Sequence, residues 1–301
     1  MDKSIVLAGA TGNLGGRIAS ALGERGAVVK ALVRRGASAE KAARLRELGA
    51  SVVEVDFASA ADLAQACAGA ACVVSALAGL REVIVDAQTA LLEGAVKASV
   101  PRFIPSDYSI DFTRLPAGQN RNLDLRREFH QRLDKAPIAA TSIFNGAFME
   151  LLTGQAPFIL FKWKRVLCWG NAGQPLDFTT MDDTAAFTAA AALDEATPRA
   201  LHIAGDRVSA RDLGTIVSEV TGKRFRVFRP GGLSMLAIMI RIARALSPSP
   251  KALYPPWQGM QYMHNMFSGL AHVERLDNDR YPGMRWTTVR DALAKAASPR
   301  R

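Results

Sequence analysis

Cysteine is scarce in this chain: Cys67, Cys72 and Cys168 are the only three, and their spacing matches no metal site. A disulfide framework and a zinc module are thereby excluded, and a sparse, odd count suits a reducing compartment. No apolar run reaches the ~18 residues of a membrane span. The first apolar run begins too near the start for a signal peptide, so a cytoplasmic location is expected. Internal repeats, low-complexity tails, zinc-finger spacing, a helix-turn-helix pattern and aromatic-interleaved basic strands are all missing. The formal charge of +10 comes from 38 basic and 28 acidic residues, but the basic groups are scattered. Arg34-Arg35, Arg126-Arg127 and Lys162 to Arg165 are separated by neutral sequence. That pattern fits a basic soluble enzyme better than a nucleic-acid surface, which normally brings a recognition motif.

What is present is apolar material enough for one large domain or two intertwined lobes: 49% of the 301 residues are hydrophobic. Short apolar runs alternate with helical patterns along the first half. Strands are expected at 4–8, 27–33, 52–55, 71–76, 102–106 and 139–143. Helices fall between them, at 39–48, 62–68, 82–98 and 123–133, and one after the first strand carries Leu14, Ile18, Ala21 and Leu22 at helical spacing. Such alternation implies right-handed crossovers and a doubly wound parallel sheet, an α/β fold. Residues 157–180 read as a β excursion. A strand at 200–203 is expected to rejoin the sheet. Helices at 182–193, 209–221, 232–246, about 255–271 and 287–297 complete the chain.

The stretch "VLAGATGNLGGRIASAL" places Gly9, Gly12 and Gly15 between the first strand and a helix. In that context Gly9 permits the tight turn, Gly12 lets backbone approach a pyrophosphate, and Gly15 lets the helix pack on the sheet. Thr11, Asn13 and Leu14 of the same loop become candidate contacts, with the phosphates on the helix N-terminus. An acid that would hold ribose hydroxyls is absent where the second strand ends. The sequence there reads "ALVRRGAS", and Arg34 with Arg35 suits the 2′-phosphate of NADP(H). Asp56 and Phe57, after the third strand, would flank the adenine.

Taken together, "GATGNLGGRIASAL", "ALVR", "GASVVEVDF", "VPRFIPSDYSIDF", "TSIFNGAF", "DFTTMDDTAAF" and "VSARDLGTIVSEVTGK" resemble the NmrA-like and isoflavone-reductase-like branch of the atypical short-chain dehydrogenases, over roughly residues 3–225. The resemblance implies a Rossmann domain at 1–147, completed by about 178–204. A smaller mixed α/β substrate lobe would comprise 148–177 and 205–301. It implies a cofactor lying along the carboxyl ends of the strands, which adds Ala76, Leu77 and Ser106 to its contacts. Asn145 and Phe148 would line the cleft and are further candidate cofactor contacts. Reductases of the branch deliver hydride to conjugated phenolic substrates, whereas other members act as redox-sensing regulators without turnover.

The chain departs from that branch at one point. Active plant-type reductases carry a lysine on the helix before the sixth strand, and here Arg126 stands closest to its position. The Tyr-x-x-x-Lys pair of the broader superfamily is missing too. Arginine holds an oxyanion but does not release a proton near neutral pH. Arg126 and His130, four apart on the helix at 123–133 and beside its stripe of Leu125, Phe129 and Leu133, are the candidate oxygen holder and proton relay; Tyr108 is a third candidate. A solvent-facing Arg and His, and a packing Tyr, are the plainer alternatives. "WQGMQYMHNMFSG", 257–269, suits a flat apolar ligand or a core or dimer helix. "LSMLAIMIRIARAL", 233–246, reads as a helix packing on the sheet, with contact to a membrane surface as the alternative. The reading is an NADPH-dependent oxidoreductase acting on a small aromatic or conjugated acceptor. The alternative is a non-catalytic NADP(H)-sensing regulator that binds a protein. No metal, nucleic acid or membrane span is expected, and a homodimer is the candidate assembly.

Overall fold

The computed structural model describes residues 3–297; the expected domain limits at 1 and 301 lie outside the described residues. The chain divides into two compact units. One comprises residues up to 108, 125–143 and 184–201; the other comprises 109–124, 144–183 and the residues from 202 on. Residues 109–124, 144–147, 178–183 and 202–204, assigned from the sequence to the dinucleotide-binding domain, therefore fall in the second unit.

In chain order the elements begin with β1 (Ser4–Ala8), α1 (Asn13–Gly23), β2 (Val28–Arg34), α2 (Ala39–Glu47), β3 (Ser51–Val55), α3 (Ala60–Cys67) and β4 (Cys72–Ser75). A π-helical segment, Glu82–Ala87, runs into α4 (Gln88–Lys97), followed by β5 (Arg102–Ile104), α5 (Arg121–Leu133), β6 (Ala139–Ala140) and β7 (Ser142–Phe144). Then come β8 (Ala147–Phe148), β9 (Ile159–Leu160), β10 (Arg165–Trp169), β11 (Leu176–Thr179), α6 (Met181–Leu193), β12 (Ala200–His202) and β13 (Asp206–Val208). The chain closes with α7 (Ala210–Thr221), β14 (Arg226–Gly231), α8 (Leu233–Leu246), α9 (Pro256–Phe267) and α10 (Val289–Ala297).

The first unit is built on a six-stranded parallel sheet in the order β3-β2-β1-β4-β5-β6. Its central strands are continuously apolar, as strands covered on both faces must be. Ile5 to Ala8 are all fully buried, with Leu7 opposite Ala31 on one side and Val74 on the other. Because the strand order reverses at β1, right-handed crossovers carry helices to both faces, and the carboxyl ends of all six strands share one edge. On α5, Leu123, Phe129 and Leu133 are buried while Leu125 is half-buried, and the Phe129 ring lies 6.2 Å from that of Phe103. Burial of a side chain the size of Phe129 contributes about 1.5–3 kcal/mol.

The expected sixth strand is broken. Only Ala139 and Ala140 pair with β5. The Thr141 amide still donates to the Phe103 carbonyl, at 3.0 Å, but the Ser142 amide donates to the Arg199 carbonyl, at 2.9 Å. The strand at 200–203, expected to rejoin the main sheet, therefore pairs with β7 in a separate two-stranded ribbon. The backbone hands its hydrogen bonds from one neighbour to another within three residues, which hydrophobic periodicity does not reveal.

The second unit holds two three-stranded sheets, β14-β10-β9 and β13-β11-β8, with α7 to α10. Residues 157–180 form the expected β excursion. β14 falls between the helices expected at 209–221 and 232–246, where the sequence reading places no strand. It runs parallel to β10, with Arg226 opposite Arg165 and Val227 opposite Val166. The two-residue alternation of "KRFRVFR" is its signal in the sequence, obscured by the four basic residues in it.

Candidate functional site

The glycine loop follows β1 directly. Gly9 has φ +82°, and a Cβ there would stand 2.5 Å from the Ala76 carbonyl oxygen. A Cβ on Gly15 would stand 2.1 Å from the Gly9 carbonyl oxygen, so α1 closes against the turn only without a side chain. Gly12 differs. It is exposed, its amide donates to the Gly9 carbonyl at 3.0 Å, and a Cβ would meet only that carbonyl oxygen, at 3.3 Å. It also caps α1 without a side chain, and the first turn carries no acid. Among the described residues the free amides that begin this helix have no capping side chain, with Thr11, Asn13 and Leu14 around them, and this is the cradle a pyrophosphate requires.

Along the same edge, Arg34 ends β2. It is exposed, and among the described residues no acid pairs with it. Arg35 is already engaged by Asp62 at 2.5 Å, and the same carboxylate oxygen accepts the Asp56 amide. Of the two arginines, Arg34 is thus the cation left for a phosphate. Asp56 is exposed, with Oδ1 accepting from the Ala58 amide, and Phe57 lies half-buried against the core. Ala76 and Leu77 follow β4. Just before them the hydroxyl of Ser75 is buried without a partner among the described residues, a polar group the sequence did not single out.

Beyond β5 the segment Ser106-Asp107-Tyr108 is held from several sides. The Ser106 hydroxyl donates to the Leu77 carbonyl at 2.6 Å, and its amide donates to Gln88 Oε1 at 3.0 Å. Arg126 Nε donates to the Ser106 carbonyl at 2.9 Å. Fully buried Asp107 accepts from His130 Nε2 at 2.6 Å and from the Ser142 hydroxyl at 2.7 Å. Arg199 donates to the Ser142 hydroxyl at 2.6 Å and lies 3.3 Å from His130 Nδ1. A guanidinium only donates, so Nδ1 is the accepting nitrogen and Nε2 carries the proton given to Asp107. Tyr108 is buried. Burial pushes its phenol well above the usual range, so it stays protonated near neutral pH. The structure thus gathers the three residues expected to be catalytic, Arg126, His130 and Tyr108, around one short segment. It gives His130 a different task from the proton relay expected of it, because both ring nitrogens are engaged inside the unit. Asp107, Ser142 and Arg199 were missed, although Asp107 sits within the quoted "IPSDYS".

The second unit has a site of its own. Asn145 is fully buried, and neither carboxamide atom has a partner among the described residues. Its backbone is fixed, with the amide donating to the Ser109 carbonyl at 3.1 Å and the carbonyl accepting from the Thr179 hydroxyl at 2.7 Å. An unpaired buried amide is costly and marks a place for water or a ligand. Phe148, half-buried on β8, is opposite Thr179. A shallow open cleft is lined by Asp111, Phe144, His202, Met266 and His272 among others. His202 Nε2 lies 3.0 Å from Asp111 Oδ2, and its ring lies 5.2 Å from that of Phe144. Burial alone would push the Asp111 carboxyl up. Hydrogen bonds from His202 and Thr113 outweigh it and hold the group below the ordinary value. Sequence reading missed this pair; a histidine inside the otherwise apolar "ALHIAG" was the available signal. The 257–269 segment, weighed as a soft ligand surface, turns mostly inward. Met266 reaches the cleft, but Gln258, Gln261 and Asn265 bond to Asn120, the Arg121 amide and Gln119 in a polar seam.

An open glycine turn at the carboxyl edge of a doubly wound parallel sheet defines a dinucleotide-binding α/β protein. The model of the NmrA-like family matches residues 1–245, and the chain belongs to that family. Among characterised relatives, oxidoreductase BOA1 of Botryotinia fuckeliana (strain B05.10) is 26% identical over 75% of this chain and 78% of that protein. Oxidoreductase swnN of Metarhizium robertsii (strain ARSEF 23 / ATCC MYA-3075) is 28% identical over 52% of this chain, which spans only 55% of that protein. Among solved structures, AtPrR2 with NADP+ and (+)pinoresinol superposes with a TM-score of 0.81 at 22% identity, over 98% of this chain and 99% of that one. No helix among the described residues is long and apolar enough to cross a membrane.

Proposed function

We propose that this chain is an NADPH-dependent reductase of a small aromatic or conjugated acceptor. The observation that carries the reading is the convergence of Arg126, Tyr108 and the His130–Asp107 pair on residues 106–108, at the sheet edge that also bears the glycine loop and Arg34. Relatives named as oxidoreductases, and a structural neighbour described with NADP+ and (+)pinoresinol, support it.

The loop and first turn of α1 would hold the pyrophosphate, and Arg34 the 2′-phosphate. When bound, NADPH supplies the hydride. Arg126, fixed at the end of β5, would hold the acceptor oxygen as charge develops on it. Tyr108, kept protonated by burial, is the candidate hydrogen-bond donor to that oxygen, and solvent supplies the proton. His130 would act by position: with Arg199 and Ser142 it holds Asp107, and so holds Tyr108 beside it. Single-turnover loss of NADPH absorbance against a panel of quinones, enones and phenylpropenyl acceptors tests the proposal. Arg126→Ala should slow the step by about 10²–10³ while NADPH affinity stays within a few fold, the usual effect of losing one oxyanion donor. A second reading, an NADP(H)-sensing regulator with a protein partner, is favoured by Arg126 standing where the resemblance to plant-type reductases implies a lysine. It replaces the first if no acceptor in the panel oxidises bound NADPH.

A further inference from the structure

Helix α8 reads "LSMLAIMIRIARAL", and only Leu236 of its fourteen residues is fully buried. Met235, Ile238, Met239, Ile242 and Leu246 are exposed, by 48, 56, 37, 53 and 82%. Their spacing is i, i+3, i+4, i+7 and i+11, which places them on one face of the helix. Single exposed apolar residues are ordinary; a row of five is not. The charge in this stretch of the chain has one sign. From Lys223 to Val273 the sequence carries seven Lys or Arg and no Asp or Glu. Arg241 and Arg244 are on the helix itself and exposed. Tyr254, in the proline-rich loop that follows, is 65% exposed, the kind of amphipathic ring found at lipid–water boundaries.

We propose that α8 is a peripheral docking helix for anionic lipid bilayers, lying in the plane of the interface with its apolar face down and Arg241 against the headgroups. Fourteen residues span about 21 Å, too short to cross a bilayer but enough to lie on one. A second copy of the chain fits this face less well. A two-fold interface would set the same basic residues against themselves, with no acid in the segment to neutralise them.

The test is co-sedimentation of the full chain with vesicles of phosphatidylcholine alone, and with about one third phosphatidylglycerol added. The protein should pellet with the anionic vesicles, remain in solution with the neutral ones, and be released by salt. The double variant Ile238→Gln, Ile242→Gln should lower partitioning at least about tenfold, and Arg241→Gln about fivefold, the effect of one cation at an anionic surface. Both variants should keep the wild-type melting temperature and NADPH affinity. Equal pelleting with neutral and anionic vesicles, or none with either, overturns the proposal. So does light scattering that shows a dimer split by Ile242→Gln, because a second copy would then cover the face.

Discussion

Arg34 separates the two nicotinamide cofactors in this account. It is an exposed cation at the end of β2 with no acid paired to it among the described residues, whereas Arg35 is paired with Asp62. Arg34→Ala should weaken NADPH binding by about 1.5–3 kcal/mol, as for a hydrogen bond to a charged group, and leave NADH nearly unchanged. Fluorescence titration of the variant with both cofactors checks this; equal losses would remove Arg34 from the site. Asp111 makes a second prediction, in the second unit. Its folded pKa lies below the ordinary 3.8. The unfolded state therefore takes up the proton first, so the group's contribution to stability is present above that value and is lost as pH falls through the folded pKa. Urea unfolding at pH 5 and pH 3 should show wild type losing more stability than Asp111→Asn over that interval. Matching losses would mean that the His202–Asp111 pair does not favour the charged carboxylate. At this scale the glycine turn and the exposed cation that ends β2 were legible because turn geometry and charge are local properties. His202 and Asp111 were not, because 91 residues separate them and only the fold brings them within 3.0 Å.

Two glycines three residues apart distinguish a ligand-facing loop from a packing contact at the level of elements. Gly12→Val should abolish NADPH binding while the melting temperature stays close to wild type, since the added side chain projects into space outside the core. Gly15→Ala should lower the melting temperature itself, because its Cβ meets the backbone of Gly9 and α1 must move off the sheet. Calorimetry with and without NADPH tells the two apart, and a Gly15→Ala protein as stable as wild type would contradict the packing assignment. The link between α5 and residues 106–108 has its own test. His130→Ala leaves buried Asp107 without one donor and should cost about 1–3 kcal/mol in urea unfolding. A loss within error would mean that the buried network does not anchor α5. Apolar periodicity showed where the central strands and the first helices lie, since covered parallel strands and amphipathic helices leave strong patterns. It gave no account of the break between β6 and β7, where the partner changes without a change in composition, or of β14, whose basic residues hide its alternation.

For the molecule as a whole, the doubly wound sheet and its carboxyl edge were readable from the alternation of elements and the position of one glycine turn. The division into units was less so. Residues 109–124 follow the fifth strand in sequence but group with the second unit, because long-range contacts rather than chain continuity decide membership. The exposed face of α8 was legible only as an apolar helix; its lack of cover became visible with its neighbours in place. The central claim is that the sheet edge of the first unit holds NADPH, with Arg34 selecting it. Calorimetric titration of the wild-type protein with NADPH and with NADH tests that claim most directly. NADPH should bind at a single site at least about tenfold more tightly than NADH, as one additional charged hydrogen bond requires. Equal affinity for the two cofactors, or heat from neither, would contradict the account.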